Sequence, residues 1–370
     1  MQPKIMMSAA EVSGDVHGGF LARHLTGCQL FGMGGEKMRV AGVDIRVDIT
    51  AKSTIGIIEA LRYLPSQLIA FHKMKKMLVR EKPHALILID AQGFNMPLAK
   101  FAKSKGIRTI YYIAPQEWLW GTQKGVVKVA KTIDLIISIF KQEHDINIKA
   151  GGNSVYFGNP LIDLAKPTMT KEAFYRKFGL DPARKVIAMC PGSRPQELKI
   201  LLPILVRVAK KLGNYQYIMP VSSSRFTGRI KKFVSKFDLG INVIEGFNYD
   251  VLAYSDLAIA KSGTIVLESV ILGTPVIMFY KLSRLTYYIA RNLLKINLPY
   301  YSMPNLLAGK MVVPEFVMEE ATADNLYNAA LKILRDPVKA KQNFDEVRSV
   351  LGEEGAAEKS AQKIIEFASS

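Results

Sequence analysis

The chain has 370 residues, which is enough for two domains of ordinary size, each with its own core. Apolar residues make up 49% of it, which excludes an intrinsically disordered protein. Fifty Lys and Arg against 32 Asp and Glu give a net charge of +18, so we expect an anionic partner: nucleic acid, an anionic lipid surface or a phosphorylated substrate.

Targeting and metal-binding signals are missing from the sequence. The amino-terminal stretch MQPKIMMSAAEVSGD has too short an apolar run for a signal peptide, and no window holds about 18 uncharged apolar residues. We therefore expect a cytoplasmic protein without a membrane span. Cys28 and Cys190 lie far apart and the five histidines are scattered, so we predict no disulfide, no bound metal and no cofactor.

Short apolar runs rich in β-forming residues alternate with helical patterns along the whole chain. The first series of predicted strands is KIMMSA, ALILID, RTIYYIA and DLIISIF, with helices near 17–26, 96–104 and 124–131. The second series is KVIAMCP, YQYIMPV, INVIEG, DLAIA and PVIMFY. This alternation predicts an α/β protein with two doubly wound, Rossmann-like parallel-sheet domains in tandem.

A polar stretch bracketed by Pro160 and Pro167 marks the predicted boundary between the two domains. We place the first domain at 1–165 and the second at 166–345. The remaining residues, 346–370, are predicted to form a terminal helix that can pack back on the first domain.

Residues after the first strand, SAAEVSGDVHGG, contain Glu11, Ser13 and Asp15 but lack the three-glycine dinucleotide fingerprint. NAD binding is therefore disfavoured. Ser13 and Asp15 alternatively serve only to begin a helix.

The stretch 54–83 alternates apolar side chains with basic ones, among them Arg62, Lys73, Lys75, Lys76 and Arg80. A basic amphipathic segment is typical of binding at a membrane surface. The pattern fits equally well an ordinary helix pair packed on the sheet.

Asp90 stands at the end of the wholly apolar run ALILI. A carboxylate at the end of a buried strand is costly unless it is used or paired. We therefore consider two roles for Asp90, a general base and the N-cap of the following helix.

Two turns of the second domain indicate a phosphate site. In VIAMCPGSRPQELK, Gly192 permits close approach of the backbone to a ligand, and Ser193 and Arg194 supply donors. The alternative is an ordinary strand-to-helix turn with Arg194 on the surface. In open α/β sheets ligands bind beyond the carboxyl ends of the strands, where this turn lies.

The second turn, DLAIAKSGTIVLES, places Ser262, Gly263 and Thr264 where a helix begins. Free amides and the helix dipole favour a phosphate there. Glu268 follows Thr264 by one helical turn and can reach a ribose diol. The alternative is an N-cap followed by a solvated charge. Together the two turns favour a cradle for a nucleoside diphosphate.

Eight motifs, in order, resemble the lipid-A-disaccharide synthase family, which has the GT-B fold. They are AEVSGD, FGMGGEKM, IDAQGFNMPL, APQEWLW, GNPLID, PGSRPQELKILLP, SGTIVLES and MPNLLAG. The resemblance runs from about residue 4 to residue 320. It implies two Rossmann-like domains that face each other across a cleft, the amino half holding the lipid acceptor and the carboxyl half holding UDP.

The resemblance also implies the reaction. An inverting enzyme transfers 2,3-diacylglucosamine from UDP to 2,3-diacylglucosamine 1-phosphate, and a β-1,6-linked lipid A precursor and UDP result. The implied UDP contacts are Gly192, Ser193, Arg194, Ser262, Gly263, Thr264 and Glu268. Asp90 is the implied base, and Glu11, Ser13 and Asn305 are implied acceptor-binding residues. The expected location is the inner face of the cytoplasmic membrane, and the sequence leaves open whether the chain forms a homo-oligomer.

The chain departs from the family pattern in its tryptophan loop, which reads APQE where SPSV is common, and at two single positions. Many members carry a second carboxylate where this chain has Gly93, and often a histidine where it has Asn159.

Two rival functions also stay open. A related GT-B enzyme, such as a UDP-N-acetylglucosamine epimerase or the peptidoglycan transferase, would share the UDP cradle. Nucleic-acid binding would explain the charge, but the basic residues are not interleaved with aromatic ones, so we expect no nucleic-acid partner.

Overall fold

The structure is a computed structural model that describes residues 2–49, 57–116, 119, 122–192, 194–221, 224–282 and 299–370. The side chains of residues 57–63, 224 and 225, including that of Arg62, lie outside this description. Ser193 and the start of the 54–83 stretch also lie outside the described residues.

The chain divides into two compact units. The first comprises Met1–Leu164 and Leu351–Ser370, and the second comprises Ala165–Val350. The carboxyl-terminal helix lies in the first unit, where the Arg108 guanidinium donates to the Phe367 carbonyl at 2.7 Å. Residues 346–350, which the sequence grouped with that helix, lie in the second unit.

The first unit contains a sheet of seven described strands in the order β3-β2-β1-β4-β5-β6-β7, all of them parallel. Its strands are β1 (Lys4–Ala9), β2 (Gln29–Met33), β3 (Asp44–Val47), β4 (Ala85–Ile89), β5 (Arg108–Tyr112), β6 (Leu135–Ser138) and β7 (Ser154–Tyr156). Its helices are α1 (Val12–Ala22), α2 (Glu36–Val40), α3 (Ile57–Glu81), α4 (Gln92–Ser104), α5 (Gln123–Thr132), α6 (Lys141–Lys149), α7 (Leu161–Leu164) and α17 (Ala356–Ser369).

The second unit contains a sheet of six described strands, also parallel, in the order β10-β9-β8-β11-β12-β13. Its strands are β8 (Val186–Cys190), β9 (Gln216–Val221), β10 (Ile241–Glu245), β11 (Leu257–Lys261), β12 (Val276–Tyr280) and β13 (Glu315–Val317). Its helices are α8 (Lys171–Phe178), α9 (Pro195–Leu212), α10 (Ser224–Val234), α11 (Asn248–Tyr254), α12 (Thr264–Ile271), α13 (Met303–Ala308), α14 (Ala323–Arg335), α15 (Pro337–Lys341) and α16 (Phe344–Ser349).

Continuous burial of the central strands explains this architecture. Every residue of β4 and of β8 is buried, which is the pattern of parallel strands covered by helices on both faces. The predicted α/β class with two doubly wound parallel sheets is therefore confirmed. The sequence patterns did not predict β2, β3, β7 and β13, which lie toward the edges of the two sheets.

Helix α1 differs from its prediction. It begins at Val12 and ends at Ala22, whereas the sequence pattern suggested 17–26. Its glycines disfavour a helix intrinsically, but close packing requires them. A Cβ built at Gly19 would lie 2.6 Å from the Lys37 carbonyl oxygen, and one at Gly18 would lie 2.8 Å from Met38 Sδ. Tertiary contact therefore outweighs helix propensity here.

Asp15 shows how the first βα turn is fixed. Its carboxylate lies inside α1 and accepts from the backbone N–H groups of Gly35 at 2.7 Å, Lys37 at 3.0 Å and Met38 at 3.1 Å. These amides begin α2, so Asp15 satisfies the free donors of another helix instead of its own. Only 6% of Asp15 is exposed, which makes its partners hard to replace by water.

We expect Asp15→Ala to lower the free energy of unfolding by about 2–4 kcal/mol, because three buried amides lose a charged acceptor. Urea denaturation of the two proteins measures this difference. Asp15→Asn, which keeps one carbonyl acceptor, should lose less. A loss below about 0.5 kcal/mol for the alanine variant would contradict the capping role.

Candidate functional site

The first predicted anion-binding turn follows β8 at the carboxyl edge of the second sheet. The strand ends at Cys190, and α9 begins at Pro195 with Arg194 as its N-cap residue. Gly192 has φ +108°, and a Cβ built on it would lie 2.3 Å from Glu197 Oε2. Glycine is therefore needed at 192 both for its conformation and for space.

The second turn follows β11, which ends at Lys261. Gly263 is the N-cap residue of α12, with φ +156°, and the helix begins at Thr264. Gly263 and Thr264 are exposed, while Ser262 is half-buried and its hydroxyl donates to the Tyr301 carbonyl at 3.4 Å. The start of α12 therefore presents backbone to solvent, as an anion site at a helix N-terminus requires.

Strand pairing brings the two turns together. Strands β8 and β11 are neighbours, and Cys190 pairs with Ala260 in their register. Pro191, which follows β8, and Lys261, which ends β11, consequently leave the sheet side by side.

A buried carboxylate that the sequence interpretation missed connects the two turns. Glu197 accepts from the Arg194 backbone N–H at 3.2 Å and from Arg194 Nη1 at 3.4 Å. Its Oε1 also accepts from Lys261 Nζ at 3.2 Å, and the Glu197 side chain is only 5% exposed. Its position three residues after an N-cap is the local signal that could have found Glu197. No local signal reveals that Lys261 reaches it.

Glu268 lies one helical turn beyond the start of α12, as its spacing predicted. It is half-buried, and desolvation raises its pKa to about 7. Besides burial, its charge contributes to the raised pKa values of the Cys190 thiol and the Tyr249 phenol, which places it near the carboxyl end of β8. A carboxylate in this position can accept hydrogen bonds from a ribose diol.

Asp90 occupies the corresponding edge of the first sheet, directly after β4. Its backbone is left-handed, with φ +51°, a costly conformation for a residue with a side chain. The Asp90 carbonyl accepts from the Tyr111 hydroxyl at 2.7 Å and from Asn95 Nδ2 at 2.8 Å. The N-cap of α4 is Ala91, without a side-chain cap, so the predicted alternative of Asp90 as a helix cap is wrong.

Two residues of α1 lie close to the Asp90 side chain. The Ser13 hydroxyl donates to Asp90 Oδ2 at 3.1 Å. His17 follows Ser13 by one helical turn, and burial lowers its pKa to about 4 against the opposing effect of the Asp90 charge. His17 is therefore neutral at pH 7. Glu11 is the N-cap residue of α1, at the same edge of the sheet.

Asn305 has a structural role that the sequence did not predict. It is completely buried in α13, and its amide nitrogen donates to the Val313 carbonyl at 2.8 Å and to Glu315 Oε1 at 2.7 Å. Its oxygen accepts from the backbone N–H groups of Val312 and Val313. These four bonds use the whole capacity of the amide. Asn305 thus shapes its own loop and offers no free group for direct contact with an acceptor.

Metal ligands do not cluster in the described part of the chain. No group of three or more His, Cys, Asp or Glu side chains there could hold a metal ion.

Two solved structures with a similar fold were determined with UDP-GlcNAc or UDP bound. A UDP-GlcNAc 2-epimerase from Neisseria meningitidis, solved with UDP-GlcNAc, gives a TM-score of 0.65 at 12% identity over 99% of both chains. The S. aureus MnaA-UDP co-structure gives 0.69 at 14% identity and covers 99% of this chain and 97% of its own. At these identities the likeness concerns the fold alone. The fold is that of the GT-B class, with two Rossmann-like α/β units.

Sequence relatives identify the family within that class. The family model described as Lipid-A-disaccharide synthetase matches residues 5–368. A lipid-A-disaccharide synthase of Geobacter sulfurreducens is 34% identical over 375 residues, which covers 98% of this chain and 97% of that protein. One from Synechocystis sp. is 33% identical over 385 residues, with 99% and 98% covered. The chain belongs to the lipid-A-disaccharide synthase family and is a glycosyltransferase of lipid A disaccharide synthesis.

Proposed function

We propose that the chain transfers 2,3-diacylglucosamine from its UDP carrier to 2,3-diacylglucosamine 1-phosphate, with inversion at the anomeric carbon. The products are the β-1,6-linked disaccharide 1-phosphate and UDP. The second unit binds the UDP moiety and the first unit binds the acceptor. The proposed UDP contacts are Gly192, Ser193, Arg194, Ser262, Gly263, Thr264 and Glu268.

The observation that carries the proposal is the meeting of two helix-initiating turns around Glu197. Arg194 is held there with its guanidinium 3.4 Å from a buried carboxylate, which fixes its orientation. A planar guanidinium beside free helix amides suits phosphate oxygens. The choice of transferred sugar and acceptor rests on the lipid-A-disaccharide synthases to which the chain is similar.

Asp90 acts as the general base in this mechanism. The acceptor 6-hydroxyl forms a bond to the anomeric carbon while the bond from that carbon to the UDP oxygen breaks, and the hydroxyl proton passes to the Asp90 carboxylate. Ser13 orients the carboxylate through its hydrogen bond. Because His17 is neutral at pH 7, it does not compete as a cation for the Asp90 charge.

Arg194 stabilises the departing diphosphate. Negative charge grows on the bridging oxygen as the glycosidic bond to UDP breaks, and a fixed cation stabilises that charge in the transition state. The helix amides near Gly263 provide further partial positive charge.

We also propose membrane association, which the exposed face of α3 supports. Ala70, Met74 and Leu78 pack into the core of the first unit, while Leu68 and Ile69 are each 59% exposed. Exposed basic residues of the same helix are Lys73, Lys76 and Arg80. Apolar and basic groups on one surface suit an anionic lipid surface, which we propose to be the inner face of the cytoplasmic membrane. Among the described helices, none has the length and apolar character needed to cross a bilayer.

Asp90→Asn should lower turnover with the acylated donor and acceptor by roughly 10²–10⁴, because the amide cannot take a proton. UDP affinity should stay unchanged, since Asp90 is assigned to the chemical step. Initial rates and UDP calorimetry on the same folded protein test both statements, with exposed Asp44→Asn as the matched control. Near-full turnover in the Asp90 variant would refute the base assignment, and Glu11 would then be the next candidate.

Arg194→Ala should weaken UDP binding by about 1.5–3 kcal/mol, the usual value of a hydrogen bond to a charged group. Isothermal calorimetry measures this loss. Arg207→Ala removes an exposed arginine from the same helix and should leave UDP affinity unchanged. Equal affinities for the two variants would overturn the assignment of Arg194 to the diphosphate.

Flotation with liposomes tests the membrane surface. The chain should float with anionic vesicles at low salt and less at high salt, because screening weakens the attraction of the basic face. Leu68→Ser combined with Ile69→Ser should reduce flotation, whereas Val338→Ser, which changes an exposed valine of the second unit, should not. Equal flotation with neutral and anionic vesicles at low salt would disprove the electrostatic contribution.

A further inference from the structure

Lys261 occupies an unusual position at the end of an apolar strand. The other four residues of β11 are buried, and the chain then places a lysine whose side chain is only 16% exposed. A lysine ammonium is costly to bury unless it has a strong polar partner. The identity and the direction of its partners therefore matter.

The Lys261 ammonium lies over the start of α12. A Cβ built on Gly263 would come within 3.2 Å of Lys261 Nζ and 3.3 Å of its Cε. Absence of a side chain at Gly263 thus leaves room for the lysine to fold back over the turn. This places a full positive charge at the backbone amides that the helix dipole already makes attractive to an anion.

The same ammonium reaches the first turn through Glu197. Oxygen Oε1 of Glu197 is 3.2 Å from Lys261 Nζ and 3.4 Å from Arg194 Nη1. Both cations therefore share one oxygen of the Glu197 carboxylate. The Glu197 carboxylate therefore holds both cations beside the two turns.

We propose that Lys261 is a second diphosphate-binding side chain, which acts with Arg194 on the leaving group, and that Glu197 is the positioning residue for both. This inference rests on the proposed UDP site in the second unit. A diphosphate carries more negative charge than one guanidinium can match, and two cations from adjacent strand ends provide a paired receptor for it.

A purely structural role for Lys261 makes a different prediction. In that case the ammonium only neutralises Glu197, and its removal harms the site because a buried carboxylate loses a partner. A double-mutant cycle separates the two roles. Lys261→Met removes the charge while keeping an unbranched side chain, and Glu197→Gln removes the carboxylate charge while keeping its shape.

The experiment measures calorimetric affinities of the full chain for UDP and for uridine. Lys261→Met should weaken UDP binding by about 10- to 100-fold, the effect of a hydrogen bond to a charged group. Uridine lacks phosphate, so its affinity should not change. The loss for UDP should be of similar size in the Glu197→Gln background, since the lysine would still contact phosphate there.

Lys211→Met serves as the matched control. Lys211 is also ion-paired, with Asp324 at 2.6 Å, and it lies at the far end of α9 from Arg194. The Lys211→Met substitution removes the same net charge as Lys261→Met and should not change UDP affinity. Should Lys261→Met fail to fold, as shown by thermal unfolding, Lys261→Gln is the second variant for the same cycle.

Three results would overturn the inference. They are an unchanged UDP affinity in the lysine variant, a loss that vanishes when Glu197 is also replaced, and an equal loss for uridine. Failure of the proposed function looks different, because the unmodified chain would then bind UDP no better than uridine and Arg194→Ala would have no effect. The two failures are therefore distinguishable.

Discussion

Parallel pairing of the strands is the constraint on which the sites depend. Because helices cover both faces of each sheet, a central strand such as β4 or β8 carries only apolar or small side chains along its length. Chemistry is thereby confined to the carboxyl edges, where each strand ends and its chain turns into a helix. Asp90, Arg194 and Lys261 all lie at such ends, each within four residues of a strand.

Confinement to an edge creates an electrostatic problem that Glu197 addresses. A carboxylate that is only 5% exposed is destabilising by itself, and it is acceptable because Arg194 and Lys261 donate to it. The reverse also holds, since two cations near one another repel unless an anion lies between them. The shared carboxylate therefore offsets the repulsion between the two cations and fixes their positions at the ends of β8 and β11.

Much of this arrangement could be predicted from the sequence, for a local reason. An apolar run followed by Gly192 or Gly263 and a helical pattern specifies a strand end, a turn and a helix start within a few residues. Partners distant in sequence could not be predicted in this way. Glu197 meets Lys261 across 64 positions, and Asp15 caps a helix more than 20 residues away. Asn305 shows the same limit, because only the folded loop reveals that its amide is saturated.

Gly93 leaves Asp90 as the one carboxylate of the turn after β4. A Cβ built on Gly93 would have no atom within 4 Å, so steric crowding does not explain the glycine. Within the turn 89–95 Asp90 is consequently the single acidic side chain. Its left-handed backbone is held by Tyr111 and Asn95, which offset a conformation that costs about 1–2 kcal/mol. This fixed backbone holds the Asp90 carboxylate in one place, which our proposal of Asp90 as the general base requires.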